Sequence, residues 1–308
     1  MSQTVNVAFV QQFKSNLELL VQQEGSVLLP VVRPEKITGK YTHFDRLGAG
    51  EASEVLTRHG DTPDPLNLTH SRRRCILRTF DASELVDNAD KVRMLIDPTS
   101  EYAKSISNAL GRKCDDIILS GLYGTAYAVD SDDAQSSVTL ESLNSSQQII
   151  TEDTGTSNSD LIVAKLRAAK KRLMKNNVQL QSERPICIHD GTALTDGLLA
   201  ETSVTSSDYN TVKALVAGEV DTFMGFKFVW CERLNDAQHV YTGGTTATDV
   251  RSIVFVPSAI GVAMGRDMNV RISERDDKRY STQVYGAMDI GAVRRQEEKV
   301  VVIECYRT

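Results

Sequence analysis

Between Pro98 and Leu122 the apolar residues recur at the spacing of a single helix face. They are Tyr102, Ile106, Ala109 and Leu110, Cys114, Ile117 and Ile118, and Leu122. Asp97 supplies an N-cap and Pro98 a first-turn residue with its φ already set. Unbroken, such a helix is about 37 Å long at 1.5 Å per residue. An apolar stripe of that length needs a broad layer to lie on, so the spacing predicts a spine helix with a sheet packed along it. Gly111 inside the stripe costs about 1 kcal/mol relative to alanine.

What precedes the spine has little core of its own. Residues 4–23 carry Val10, Phe13, Leu17, Leu20 and Val21 on one helical face, and Gly25 follows as a stop. Pro30 and Pro34 bracket the extended piece Val31-Val32-Arg33. This reads as an arm that docks elsewhere through Phe13 and Leu17, or as a helix packed on its own domain. Lys36–Phe44 and Arg72–Phe80 are strand-like, and the stretch between them is polar, with Gly48, Gly50, Gly60, Pro63 and Pro65. A long isolated hairpin is marginal in water and must lie on another surface, in cis or in trans. Arg72, Arg73 and Arg74 at its base form a solvated face or meet a carboxylate patch on a neighbouring subunit.

Asp81 and Glu84 resemble a capping box, which predicts a short helix with Leu85, Ala89, Val92 and Ile96 on one side. Beyond the spine, Asp160–Asn176 is helical, with Ile162, Leu166, Ala169 and Leu173 inward and basic residues at its end. Short helices are expected at Thr192–Ala200 and Asp208–Val216. Strands are expected at Pro185–His189, Phe223–Trp230, Val250–Val256 and within Ala263–Arg275, the last ending in the charged turn Glu274–Arg279. Two antiparallel strands near Gln283–Val293 and Lys299–Tyr306 close the chain. The fold class is α+β with mainly antiparallel sheets.

The 308 residues hold 35 Lys and Arg against 41 Asp and Glu, a net charge of −6. The whole excess sits in residues 127–159, which carry six acids, no Lys or Arg, and 12 Ser and Thr. That segment reads as a solvated insertion with a short strand at Val138–Leu143. The rest balances at 35 against 35, which argues against a dedicated nucleic-acid binder. No run approaches the roughly 18 apolar residues a membrane helix needs, and no signal peptide is visible.

The motifs of catalysis and metal binding are missing or imperfect. Cys75, Cys114, Cys187, Cys231 and Cys305 are scattered, with no Cys-x-x-Cys pair, so neither a disulfide framework nor a zinc site fits. Cys187 and His189 share one face of a strand, but a nucleophile needs an oriented base and an oxyanion site besides. Gly48-Ala49-Gly50 lacks the third glycine and the feeding strand of a dinucleotide loop. Asp130, Asp132 and Glu141 lack the central glycine of a calcium loop. No catalytic residue, cofactor or metal is assigned.

Four stretches, taken in order, carry a resemblance. They are Arg93–Tyr102 leading into the spine, Gly111–Ile118 within it, Thr205–Trp230 with its Gly-Phe strand start, and Arg271–Val293 with its Glu-Arg-Asp-Asp-Lys turn. Together they resemble the major capsid protein of tailed bacteriophages, which has the Hong Kong 97 fold, and the resemblance covers about residues 5–306. The resemblance implies a shell subunit without catalysis. It implies an N-terminal arm over 1–34 and an extended loop over 35–80. A peripheral domain would take 81–177 and 267–295, with the spine at 98–122 and the acidic insertion at 127–159. An axial domain would take 178–266 and 296–308. Copies would form the pentamers and hexamers of an icosahedral shell around double-stranded DNA, bound without sequence specificity and with no membrane. Assembly would take place in the host cytoplasm, with a scaffolding protein, a portal and a cement or decoration protein as further partners.

Inter-subunit contacts are expected at Phe13, Leu17, Arg72, Arg73, Arg74, Glu274, Arg275, Asp276 and Asp277. Some relatives crosslink through an extended-loop lysine, but residues 41–90 here contain none, so a non-covalent shell is expected. The short arm leaves no room for a cleaved scaffolding segment, so the scaffold is expected to be a separate protein. Three other readings stand beside this one: an encapsulin-like nanocompartment, a cytosolic α+β enzyme using Cys187 or His189, and a binding module built on residues 127–159.

Overall fold

The computed structural model describes residues 21–52, 54, 67–87, 99–129, 135–138, 149–150, 160–198, 221–235 and 250–305. The spine is α1, Thr99–Tyr123, at the place and length that the stripe predicts. Its inward side chains Ile106, Leu110, Cys114, Ile118 and Leu122 recur every fourth residue and are all buried.

Three sheets surround the spine. The first has the order β1-β12-β13-β4, formed by Pro34–Lys36, Ile260–Arg275, Ser281–Arg294 and Arg78–Val86. Here β12 and β13 make a long antiparallel ribbon, from Ile260 opposite Arg294 to Arg275 opposite Ser281. The second has the order β7-β14-β11-β8-β10-β9. Its strands are Ile149–Ile150, Val300–Cys305, Val250–Phe255, Ile186–His189, Phe226–Trp230 and Thr222–Phe223. The third, β2-β3-β5-β6, joins the foot of the extended hairpin, Tyr41–Leu47 and His70–Ile76, to Ala126–Val129 and Gln135–Val138. Most strand pairs are antiparallel; β1 with β12, β8 with β10 and β7 with β14 are parallel.

Apolar alternation sets the layers. In the second sheet Ile186, Ile188, Ile253, Phe255, Val300 and Val302 join the core under α1. Cys187, Val254, Val301, Ile303 and Cys305 face a second core. That core is completed by Leu166, Ala169 and Leu173 of α2, Val163–Lys175. Both faces are covered, which explains the apolar runs Ile253–Phe255 in β11 and Val300–Ile303 in β14.

Several expectations are corrected. Arg78–Val86 is a nine-residue strand, not the start of a helix, and pairs with β13 from Ile290 opposite Arg78 to Thr282 opposite Val86. The open edge of β13 overrides a capping signal worth about 1 kcal/mol. Ala89, Val92 and Ile96 lie outside the described residues, as do Asp208–Val216 and Asp130, Asp132 and Glu141. The two closing strands do not pair: β13 belongs to the first sheet and β14 to the second. The acidic insertion is partly built into the sheets, because β5 pairs with β3 and β7 with β14. Of the strand expected at Val138–Leu143 only Val138 is among the described residues, as the last residue of β6, Gln135–Val138.

Candidate inter-subunit surfaces

Two buried joints tie residues 22–28 and the foot of the extended hairpin to the spine. At the first, Asp115 stands fully buried on the spine. Its carboxylate accepts from the Val27 and Leu28 amides, each at 3.0 Å, and from Ser26 and Gln23. Asn108 Oδ1 accepts the Gly25 amide at 3.2 Å, and Arg112 donates to Gln22 at 2.9 Å. A Cβ on Gly111 would overlap the backbone of Gly25, whose φ is +67°. The helix-weakening glycine is therefore where the arm's backbone presses against the spine. The next carboxylate, Asp116, takes both nitrogens of Arg233 at 2.8 Å and ties the spine to the second sheet.

The second joint surrounds Glu297, whose side chain is 2% exposed. It receives Arg46 at 2.9 Å and Arg73 at 2.8 Å, and Arg294 lies at 3.7 Å. Arg294 also donates to the carbonyls of Leu122, Gly124 and Val138, which caps the C-terminal end of the spine. Burial pulls its pKa down to about 10, opposed by Glu297, and it stays charged at neutral pH. One carboxylate thus fixes the extended hairpin, the end of β13 and the end of the spine. Sequence reading missed Asp115, Asp116, Arg46, Arg294 and Glu297. Two adjacent acids between Cys114 and Ile117 were a usable signal for the first pair; nothing local marks Glu297.

The expected contact residues fall into three groups. Phe13 and Leu17 lie outside the described residues. Of the arginine triplet, Arg73 is buried on Glu297, Arg72 makes an exposed pair with Asp45 at 2.9 Å, and Arg74 lies 3.8 Å over the Tyr41 ring. Glu274, Arg275, Asp276 and Asp277 cap the far end of the β12–β13 ribbon, all exposed, with Arg275 and Asp277 paired at 2.9 Å. There Arg279 and Tyr280 adopt left-handed φ of 52° and 59°.

Nothing in the described residues assembles a reaction centre. All five thiols are buried, and burial pushes Cys187 upward, the wrong direction for a nucleophile. His189 is buried with its pKa lowered by desolvation, and its Nδ1 contacts the Asp190 carbonyl at 2.8 Å. No cluster of potential metal ligands occurs among the described residues, nor any helix long and apolar enough to cross a membrane.

A spine helix beneath a long ribbon, an arm tied on at Asp115 and an extended hairpin tied on at Glu297 define the Hong Kong 97 fold of phage shell subunits. The chain belongs to the phage capsid protein family, which matches residues 5–307. The capsid protein of cyanophage P-SCSP1u is similar over 99% of this chain and 95% of its own, with a TM-score of 0.70 at 18% identity. That of Ralstonia phage GP4 gives 0.69 at 13% identity, over 97% and 96%. Cyanophage Pam1 gives 0.70 at 12%, also over 97% and 96%. No curated protein matches significantly. The chain is a major capsid subunit, a structural component of the virion rather than an enzyme.

Proposed function

We propose that copies of this chain close an icosahedral shell of pentamers and hexamers around the double-stranded DNA of a tailed bacteriophage. In this reading residues 1–34 are the arm and 35–80 the extended loop. Residues 81–177 and 267–295 are the peripheral domain, and 178–266 with 296–308 the axial domain. Assembly proceeds in the host cytoplasm with a scaffolding protein, a portal and a cement protein. DNA is held without sequence readout.

One observation carries the reading. Residues Arg271–Tyr280 are exposed without a break, although Arg271–Arg275 are strand. A strand that hides neither face within its own chain gains burial only from another molecule. Ile272 and Tyr280, 54% and 65% exposed, are the apolar residues available there.

Electron microscopy of the purified chain, with and without the scaffolding protein, tests this. Closed uniform particles containing nuclease-protected DNA after infection are expected. A monomer under all assembly conditions overturns the shell, and particles filled with cargo protein in place of DNA overturn the phage-head assignment. Boiled particles should run as a single band, because residues 41–90 lack lysine; a ladder of covalent multimers would refute the non-covalent shell.

A further inference from the structure

A cavity of about 370 Å³ opens at the foot of the extended hairpin, between α1, the β3–β4 junction, β5 and β13. Arg74, Arg78 and Lys113 line it. Its carboxylate, Asp116, is held by both nitrogens of Arg233 at 2.8 Å and stands 3.9 Å from Lys113. Arg74 Nε is buried without an acceptor among the described residues. The neighbouring Tyr41 phenol is lowered by its hydrogen bond to Lys40 and by Arg74, the mark of a positive local potential. Among the described residues, the cations that line the cavity outnumber its carboxylates.

We infer that this cavity receives the acidic run Asp130-Ser131-Asp132-Asp133 of a second copy of the chain. Carboxylates and guanidinium groups form the strongest charge-assisted hydrogen bonds open to such a surface. The run carries three acids in four residues and belongs to a segment without Lys or Arg. The other run of that density, Glu274–Asp277, contains Arg275 and is followed by Lys278 and Arg279. Tyr127 stands opposite Arg74 and Val129 opposite Arg72, so β5 runs away from Arg78 toward its end at Val129. The inference rests on the shell reading, which supplies the second copy.

Shells assembled from equal amounts of isotopically light and heavy chains are treated with a carbodiimide, which joins lysine amines to carboxylates, then digested and analysed by mass spectrometry. Lys113 joined to Asp130, Asp132 or Asp133 is expected, with about half of the linked peptides mixing light and heavy chains. Intact shells without these peptides, or with same-isotope peptides alone, overturn the inference and leave the shell standing. Absence of shells in the microscope, before any crosslinking, overturns the reading on which it rests. Lys113→Arg should abolish the crosslink and leave the shell as stable as before. Replacing Asp130, Asp132 and Asp133 by Asn should remove the crosslink and make shells dissociate at lower salt, with the melting of the dissociated subunit unchanged. A fall in subunit melting equal to the loss of shell stability would count against the inference.

Discussion

The two halves of the β12–β13 ribbon belong to one strand pair, with register shifts between Met264 and Asn269, and β12 has opposite fates along its length. Ile260–Ala263 are buried without exception, and Arg271–Arg275 exposed without exception. Near Ile260 the ribbon lies between the spine and the extended-hairpin foot, and Phe44 packs so closely that a Cβ on Gly261 would meet its ring. Toward Arg275, β12 becomes an edge strand, because β1 pairs with it only from Val262 to Met264. β13 stays covered throughout, flanked by β12 and β4 and overlain by α1. One half of β12 thus holds the subunit together, and the other, in the proposed shell, serves contacts between subunits.

The largest effect that would sharpen this contrast is expected at Glu297, beside the packed half. Glu297→Ala leaves Arg46, Arg73 and Arg294 without their shared carboxylate, at a cost of about 3–5 kcal/mol. Chemical denaturation of the dissociated subunit should show it, and a loss below about 1 kcal/mol would mean that water already reaches this joint. A matched pair comes next. Ile290→Ala in the fully buried part should cost about 2–5 kcal/mol. Ile272→Ala, in the exposed half, should stay within about 0.5 kcal/mol in the subunit and slow shell assembly instead. Equal losses of subunit stability at both positions would break the comparison.

The core was legible where a periodicity had only one solution. The stripe from Tyr102 to Leu122 could be satisfied only by a long helix on a sheet, and α1 is that helix. Runs such as Val300–Ile303, buried on both faces, showed themselves as strands by being apolar throughout. Arg78–Val86 was misread because its cap-like acids are a local signal, whereas its strand state comes from β13, some 200 residues later. The arginine triplet was misjudged at Arg73 for the same reason: its carboxylate, Glu297, is 224 positions away. Charged tip residues were easy to name as exposed, but no sequence pattern states which surface of another copy they meet.

Gly111→Ala gives a smaller and sharper test of the packed side. In a bare helix alanine should gain about 1 kcal/mol over glycine. Here the new methyl runs into the backbone of Gly25, which Asn108 and Asp115 hold in place. The expected outcome is a loss of about 1–3 kcal/mol from overpacking, with faster hydrogen exchange at the Val27 and Leu28 amides. A more stable protein with unchanged protection at those amides would show that the arm is not seated there.

The smallest effect is expected at the ribbon tip, where Arg275 and Asp277 pair at 2.9 Å in full exposure. The hydrogen bond from Arg275 holds the Asp277 carboxyl below its ordinary pKa. A carboxylate depressed in the folded state stabilises above its unfolded pKa, and the contribution fades as pH falls through the lower folded value. Water and salt screen this pair almost completely. Asp277→Asn should therefore leave the melting temperature of the dissociated subunit unchanged at neutral pH and below the carboxylate range alike. Assembly should still respond, because the substitution alters the charge that the tip presents to its neighbour. A melting shift that vanished in acid would instead make the tip part of the subunit's own stability, and the division between a packed half and a contact half would no longer hold.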